Sequence, residues 1–272
     1  MQPRPAAVNL FSVRRELIAD FEGTLSRIAD MGYRGVEPAL FGPVALDLLP
    51  EDMRIEWPEP EALAAMLDRV GLETASLHAP LPIGPMAGYV FDYARALRTD
   101  QLVLASFLAL PEAANAHADA GALAIAIERF GEACAAAAAQ GLRVGFHNHT
   151  FEWAHPLEGD RVAWDLFWER VDPRVCAEVD VYWAASAGQD PAAVIERLGP
   201  RVRRIHLKDG PCTPDAPQVA LGRGRVDLEA CVEAARHVDW HIVELDDCAS
   251  DMLEALAQSL DFLVERGFST RR

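Results

Sequence analysis

The sequence predicts one α/β domain closed as a (β/α)8 barrel. Three observations lead there. Short apolar runs alternate eight times with amphipathic stretches, and acids, imidazoles or amines stand just past the apolar runs. No G-x-G-x-x-G or G-x-x-x-x-G-K-[ST] loop follows any run, which removes the usual marker of an open doubly wound sheet.

Strand one is predicted near Ala6 to Leu10, and helix one from Arg14 to Met31, where Leu17, Ile18, Phe21, Leu25 and Ile28 share a face and Gly32 is the stop. Strand two is Gly35 to Glu37, and a Pro-rich loop leads to helix two, Glu59 to Val70, stopped by Gly71. Leu72 to His78 reads as strand three, Met86 to Arg98 as helix three, Gln101 to Ser106 as strand four and Ala120 to Gln140 as helix four. The second half repeats the rhythm with strand five at Leu142 to Asn148, helix five at Ala163 to Val171 and strand six at Val175 to Val181. Helix six carries Asp190 as N-cap, Pro191 in the first turn and Gly199 past its end. Strand seven is Val202 to Leu207, Asp227 caps helix seven, strand eight is Trp240 to Leu245, and Asp251 to Glu265 is the last helix. No Gly/Ser-rich or Pro-rich linker divides the chain, so residues 1–272 are predicted to form one domain.

The formal net charge of −17 opposes contact with nucleic acid or anionic lipid. The first residues hold no apolar signal-peptide core and no apolar run reaches membrane-spanning length, so a soluble, cytoplasmic protein is expected. Five cysteines without C-x-x-C spacing read as reduced residues. Nothing on the predicted helices decides oligomeric state, which leaves a homo-oligomer open.

The chemistry concentrates at predicted strand ends. These carry Glu37, His78, Asp180, His206 with Lys208 and Asp209, Glu244 with Asp246 and Asp247, and the run Phe-His-Asn-His-Thr-Phe-Glu-Trp over 146–153. One such residue alone is more often a cap or a satisfied hydrogen-bonding group. Six strands ending this way point to one mouth, and two or three carboxylates with an imidazole suit Mn²⁺, Mg²⁺, Co²⁺ or Zn²⁺. If Asp180 and His206 point inward, strand alternation sends Glu178 and Arg204 inward as well, one layer deeper, where a buried ion pair beneath the metal is expected.

The segments Asp20 to Glu37, Phe-His-Asn-His-Thr-Phe-Glu-Trp, Glu-Val-Asp-Val-Tyr-Trp, Arg-Ile-His-Leu-Lys-Asp-Gly and Leu-Gly-Arg-Gly-Arg-Val-Asp together resemble the xylose-isomerase-like TIM-barrel superfamily of sugar phosphate isomerases and epimerases. The likeness runs from about Val8 onward. It implies a divalent metal held by Glu152, Asp180, His206 and Glu244, with His147 as the fallback for Glu152. It also implies Glu152 and Glu244 as the acid/base pair, Lys208 as an electrophilic helper, and a metal-stabilised enediolate from a keto sugar or related polyol. His78, His147, His149 and Lys208 are further candidates to bond sugar hydroxyls or a carbonyl, Trp183 to stack on a sugar face, and Glu37 to orient one of these groups. Arg223 and Arg225 either bind a phosphate or carboxylate or face solvent.

Isomerase or epimerase is the first reading. The alternative is a metal-dependent dehydratase of the inosose or dehydroshikimate type, with the His-Asn-His turn as general acid. A non-enzymatic sugar-binding protein is the second alternative. The superfamily's apurinic endonucleases need a richer metal cluster and a basic DNA face, which this acidic chain does not offer.

Overall fold

A computed structural model describes residues 2–40, 54–213 and 215–272. The elements in chain order are β1 (Arg4–Asn9), α1 (Arg14–Ala19), α2 (Phe21–Met31), β2 (Gly35–Glu37), α3 (Pro60–Val70), β3 (Glu73–Thr74), β4 (Leu77–His78), α4 (Met86–Ala96), β5 (Gln101–Leu104), α5 (Ala120–Ala138) and β6 (Arg143–His147). They continue with β7 (Pro156–Glu158), β8 (Arg161–Val162), α6 (Ala163–Arg170), β9 (Cys176–Asp180), α7 (Val181–Ser186), α8 (Pro191–Leu198), β10 (Val202–Leu207), α9 (Leu228–Ala234), β11 (His241–Val243), α10 (Met252–Glu265) and β12 (Ser269–Thr270). Part of the Pro-rich loop expected before α3 lies outside the described residues.

The hydrogen-bonded order is β3-β2-β1-β11-β10-β9-β6-β5-β4, all parallel. The third stave is broken: its lower half, β3, pairs with β2, and its upper half, β4, pairs with β5. A parallel bridge between Ala39 and His78 closes the ring, with the Leu40 N–H donating to His78 O at 2.8 Å. The barrel expected from the sequence is therefore present.

Register assigns the two faces of each stave. Val8, Val36, Leu102, Phe146, Val179, Ile205 and Val243 alternate outward into the main apolar core beneath the helices. Inside, the lower end is filled by Ala7, Ala75 and Ile242 with Trp240 packed against them. Gly35 makes room for that plug, since a Cβ there would stand 2.9 Å from the Trp240 ring and 2.8 Å from Glu73 O. This apolar plug below leaves the upper interior to polar groups.

Two departures from the predicted elements have local causes. The stretch 14–31 is two helices rather than one, because Asp20 takes an extended backbone (φ −156°, ψ 91°) and accepts from the Gly23 N–H at 3.0 Å as the N-cap of α2. After β9 the chain turns straight into α7, an element hidden by the apolar run that precedes it. Asp180 caps this helix through the Trp183 N–H at 2.8 Å, so one carboxylate both ends a strand and starts a helix. Below the barrel, the Arg271 guanidinium donates to Met31 O at 2.5 Å and that of Arg272 to Val70 O, which places cations at the carboxyl ends of α2 and α3.

Candidate active site

The staves deliver their polar residues to the upper interior by strict alternation. Asn9 and Glu37 are register partners on β1 and β2, His147 and Glu178 on β6 and β9, and Asp180 and His206 on β9 and β10. Glu37, His147, Glu178, Asp180, His206 and Lys208 are all at most 2% exposed. Burying this many ionisable groups is tolerable only when they satisfy one another.

His206 stands at the centre. Its Nδ1 lies 2.7 Å from Glu244 Oε2, its Nε2 lies 2.7 Å from Glu37 Oε2 and 3.0 Å from Glu178 Oε1, and its ring stacks on His78 at 5.2 Å. Burial works against a charge on His206, but Glu178, Glu37 and Glu244 outweigh it and raise its pKa well above the usual imidazole value. Glu37 is fixed in turn by Asn9 Nδ2 at 2.7 Å and Ser76 Oγ at 2.5 Å. Lys208 Nζ lies 2.6 Å from Glu244, 2.7 Å from Asp246 and 3.0 Å from Asp180, and 5.6 Å from the Trp183 ring centroid. Burial again opposes the charge, and these three acids hold the ammonium well above its usual pKa. Burial would raise Glu244, yet Lys208 and His206 press it well below the carboxylate range.

The His-Asn-His segment divides its labour. Asn148 clamps the end of β9, donating from Nδ2 to Asp180 O at 3.1 Å and accepting the Asp180 N–H at 2.9 Å. His147 points inward, with Nδ1 3.2 Å from Glu178 and Nε2 3.7 Å from Asp180, while burial pushes its pKa well down. His149 stacks on Phe151 at 5.1 Å, faces Trp183 at 6.2 Å, and is held near pKa 4 by burial. Glu152 is fully buried; its Oε2 accepts the His149 N–H at 2.9 Å, Oε1 has no partner, and burial raises its pKa to about 8.

Ligand-capable atoms of His147, Asp180, His206 and Glu244 lie within 4.8 Å of one another. Two carboxylates and two imidazoles form a donor set suited to a divalent ion of the Mn²⁺ to Zn²⁺ series. Asp180 Oδ2 is buried without a well-directed hydrogen bond, which leaves a lone pair for an ion. Among the predicted ligands, Asp180, His206 and Glu244 thus converge. Glu152 does not join the group, and the fallback His147 does.

These residues sit at the carboxyl ends of the staves, where a barrel of this kind carries its reactive groups. The model of the xylose isomerase-like TIM barrel matches residues 25–266. The chain belongs to the xylose isomerase-like TIM-barrel family. Solved structures of similar fold include a sugar phosphate isomerase/epimerase from Parabacteroides distasonis (20% identity, 99% of this chain and 96% of that one, TM-score 0.73). Others are a probable 3-DHS dehydratase of petrobactin synthesis from Bacillus anthracis (14% identity, 96% and 99% covered, TM-score 0.68) and a D-psicose 3-epimerase (14% identity, 97% and 100% covered, TM-score 0.64). The chain matches no curated protein sequence. Its neighbours in fold thus include a sugar phosphate isomerase/epimerase, a probable dehydratase and a psicose epimerase.

Against this family background, the remaining expectations divide. Trp183 stands at the mouth, its Nε1 buried and unpartnered. His78 and Glu37 lie inside the barrel, bonded to Glu178 and His206 respectively, so they orient neighbours from below. Arg223 and Arg225 are exposed on a loop that Asp209 holds by accepting the N–H groups of Gly222, Gly224 and Val226 at 2.8 to 3.1 Å. The Glu178–Arg204 ion pair needs correction: both side chains point inward, but Arg204 reaches down to Ala75 O at 2.9 Å while Glu178 takes the imidazoles. Glu178 pairs with histidine because β6, β10 and the upper third stave each bring a ring to its level. Sequence reasoning also missed Ser76 and Gln218, whose Nε2 donates to Asp246 at 3.0 Å. Asn9, ending an otherwise apolar strand, carried a readable signal; Gln218 sits in a loop with none.

No helix among the described residues is long and apolar enough to cross a membrane.

Proposed function

We propose that the protein is a divalent-metal-dependent isomerase or epimerase of a keto sugar or related polyol. The convergence of His147, Asp180, His206 and Glu244 on one point beside Lys208 carries this reading. When bound there, the ion supplies Lewis-acid polarisation of a carbonyl and its neighbouring hydroxyl, which acidifies the C–H between them. Glu244, kept ionised by Lys208 and His206, is the base for that proton. Glu152, kept protonated up to a pKa of about 8 by burial, is the acid that returns a proton to the other face or to the next carbon. Lys208 supplies a fixed positive charge near the developing oxyanion, and Trp183 offers its ring to the apolar side of a sugar. Arg223 and Arg225, exposed and without an ion-pair partner among the described residues, would take an anionic substituent such as a phosphate.

Dehydration of a related keto polyol is the second reading. The unpartnered Oε1 of Glu152 favours it, because a buried, protonated carboxyl can hand its proton to a departing hydroxyl. His149, deprotonated above a pKa of about 4, does not fill that role at neutral pH. Incubation of the metal-loaded protein with ketoses in D₂O decides between the two. An epimer or isomer carrying deuterium at the reacting carbon is expected, and loss of water from the product would establish the dehydratase instead. Glu244→Gln is expected to lower turnover about 10²-fold or more with the fold retained, and full activity in that variant would rule out its role as base.

A further inference from the structure

Beneath the acids that face the mouth lies a buried carboxylate, Glu178, that the proposed reaction does not use. Glu178 Oε1 lies 2.5 Å from His78 Nε2, 3.2 Å from His147 Nδ1 and 3.0 Å from His206 Nε2, on a side chain 1% exposed. His147 and His206 turn their other nitrogens upward, His147 Nε2 toward Asp180 and His206 Nδ1 toward Glu244. A ring that binds a metal ion does so as a neutral imidazole, with one N–H and one lone pair. The oxygen that receives the N–H below therefore decides which nitrogen presents its lone pair above.

Strand register makes Glu178 the residue able to do this for both rings. It is the Cα partner of His147 across β6 and β9, and it lies two residues before Asp180, the partner of His206. Glu37, held by Asn9 and Ser76, reaches the same His206 nitrogen at 2.7 Å, closer than Glu178, but among the described residues Glu178 is the carboxylate in contact with His147 and His206 alike. The lower group of His78, His147, Glu178 and His206 is itself compact enough for a metal, with ligand atoms within 4.8 Å of one another. That seat would draw on the same two rings as the upper one. Filling both would strip His147 and His206 of every ring proton, whereas an orienting carboxylate asks nothing of the kind.

We infer that Glu178 is the positioning residue of the site, the single carboxylate that fixes the tautomer and tilt of both His147 and His206 so that their free nitrogens face Asp180 and Glu244. This rests on the reading of those four residues as the ligand set. Carboxylates behind metal-binding histidines typically contribute about 10- to 100-fold in metal affinity, so the effect is measurable.

The test titrates the metal-free full-length protein with Mn²⁺ against a competing chelator and records ring-¹⁵N spectra of its histidines with and without Zn²⁺. Glu178→Gln is expected to bind one ion about 10- to 100-fold more weakly, with altered His147 and His206 tautomer signals and an unchanged circular dichroism spectrum. Glu178→Asp should recover part of the affinity, and it decides the matter if the glutamine variant does not fold. Wild-type affinity with unaltered ring signals in Glu178→Gln would overturn the inference. So would two ions in the wild type and one in the variant, which would make the lower group a second metal seat. A wild type that binds no ion would sink the proposed function, while the His147 ring signals of the metal-free wild type and Glu178→Gln would still decide whether Glu178 fixes that ring.

Discussion

Lys208 Nζ lies 2.6 Å from Glu244 Oε2, with the ammonium wholly buried and Asp180 and Asp246 within 3.0 Å of it. One cation thus holds three strand-end acids at the mouth. The arrangement presses the Glu244 carboxyl well below its usual pKa and so keeps it ionised.

Replacing Lys208 by Met should destabilise the metal-free protein by about 3–5 kcal/mol, the usual cost of stranding buried charge. Asp180, Glu244 and Asp246 would face one another without a cation, so the deficit should shrink as the pH is lowered and they take up protons. Urea unfolding of both proteins at neutral and mildly acidic pH checks this. A variant as stable as the wild type at neutral pH would show that the three acids do not depend on Lys208.

The ligand atoms that lie together include His147, the fallback of the sequence reading, and not Glu152. In the proposed ligand group His147 takes part, while Glu152 accepts the His149 N–H through one oxygen and leaves the other without a partner. His147→Gln should therefore weaken Mn²⁺ binding by at least about tenfold, whereas Glu152→Gln should keep the ion and lose turnover by about 10²-fold or more. Paired metal titrations and rate measurements read both effects. The reverse pattern would return the ligand position to Glu152.

His241 offers a pH test remote from the mouth. It is buried beside Ser269 Oγ at 3.0 Å, and burial, aided by Arg4, lowers its pKa to about 4. Between that value and the ordinary imidazole pKa of about 6.5 the unfolded chain binds the proton and the folded one does not. Stability should consequently fall as the pH drops through this window, with a slope of up to about 1.4 kcal/mol per pH unit from this group. His241→Gln should flatten the fall, and equal slopes in chemical denaturation series would contradict the assignment.

Much of this was legible in the residues themselves. Alternation within β9 and β10 placed Asp180 and His206 on one face, and the caps Asp190 and Asp227 were readable from their spacing to Pro191 and the following apolar positions. What alternation could not supply was height across the barrel. It put Glu178 and Arg204 inward correctly, but the length of Arg204 carries its guanidinium down to Ala75 O, and three imidazoles from other staves take the space beside Glu178. Likewise Glu152 and His147 are equivalent donors in a list of residues. Their difference comes from the turn at 148–152, which folds the Glu152 carboxylate back onto the His149 N–H. The split of the first predicted helix at Asp20 was written in its side chain, but the apolar periodicity on both sides masked it.

The most direct test of the account is metal content. After dialysis against Mn²⁺ and removal of free ion, the wild-type protein should retain one ion per chain and His206→Ala should retain essentially none, with both folded by circular dichroism. Equal metal content in the two proteins, or none in the wild type, would contradict the claim that the buried acids and imidazoles form a divalent-metal centre.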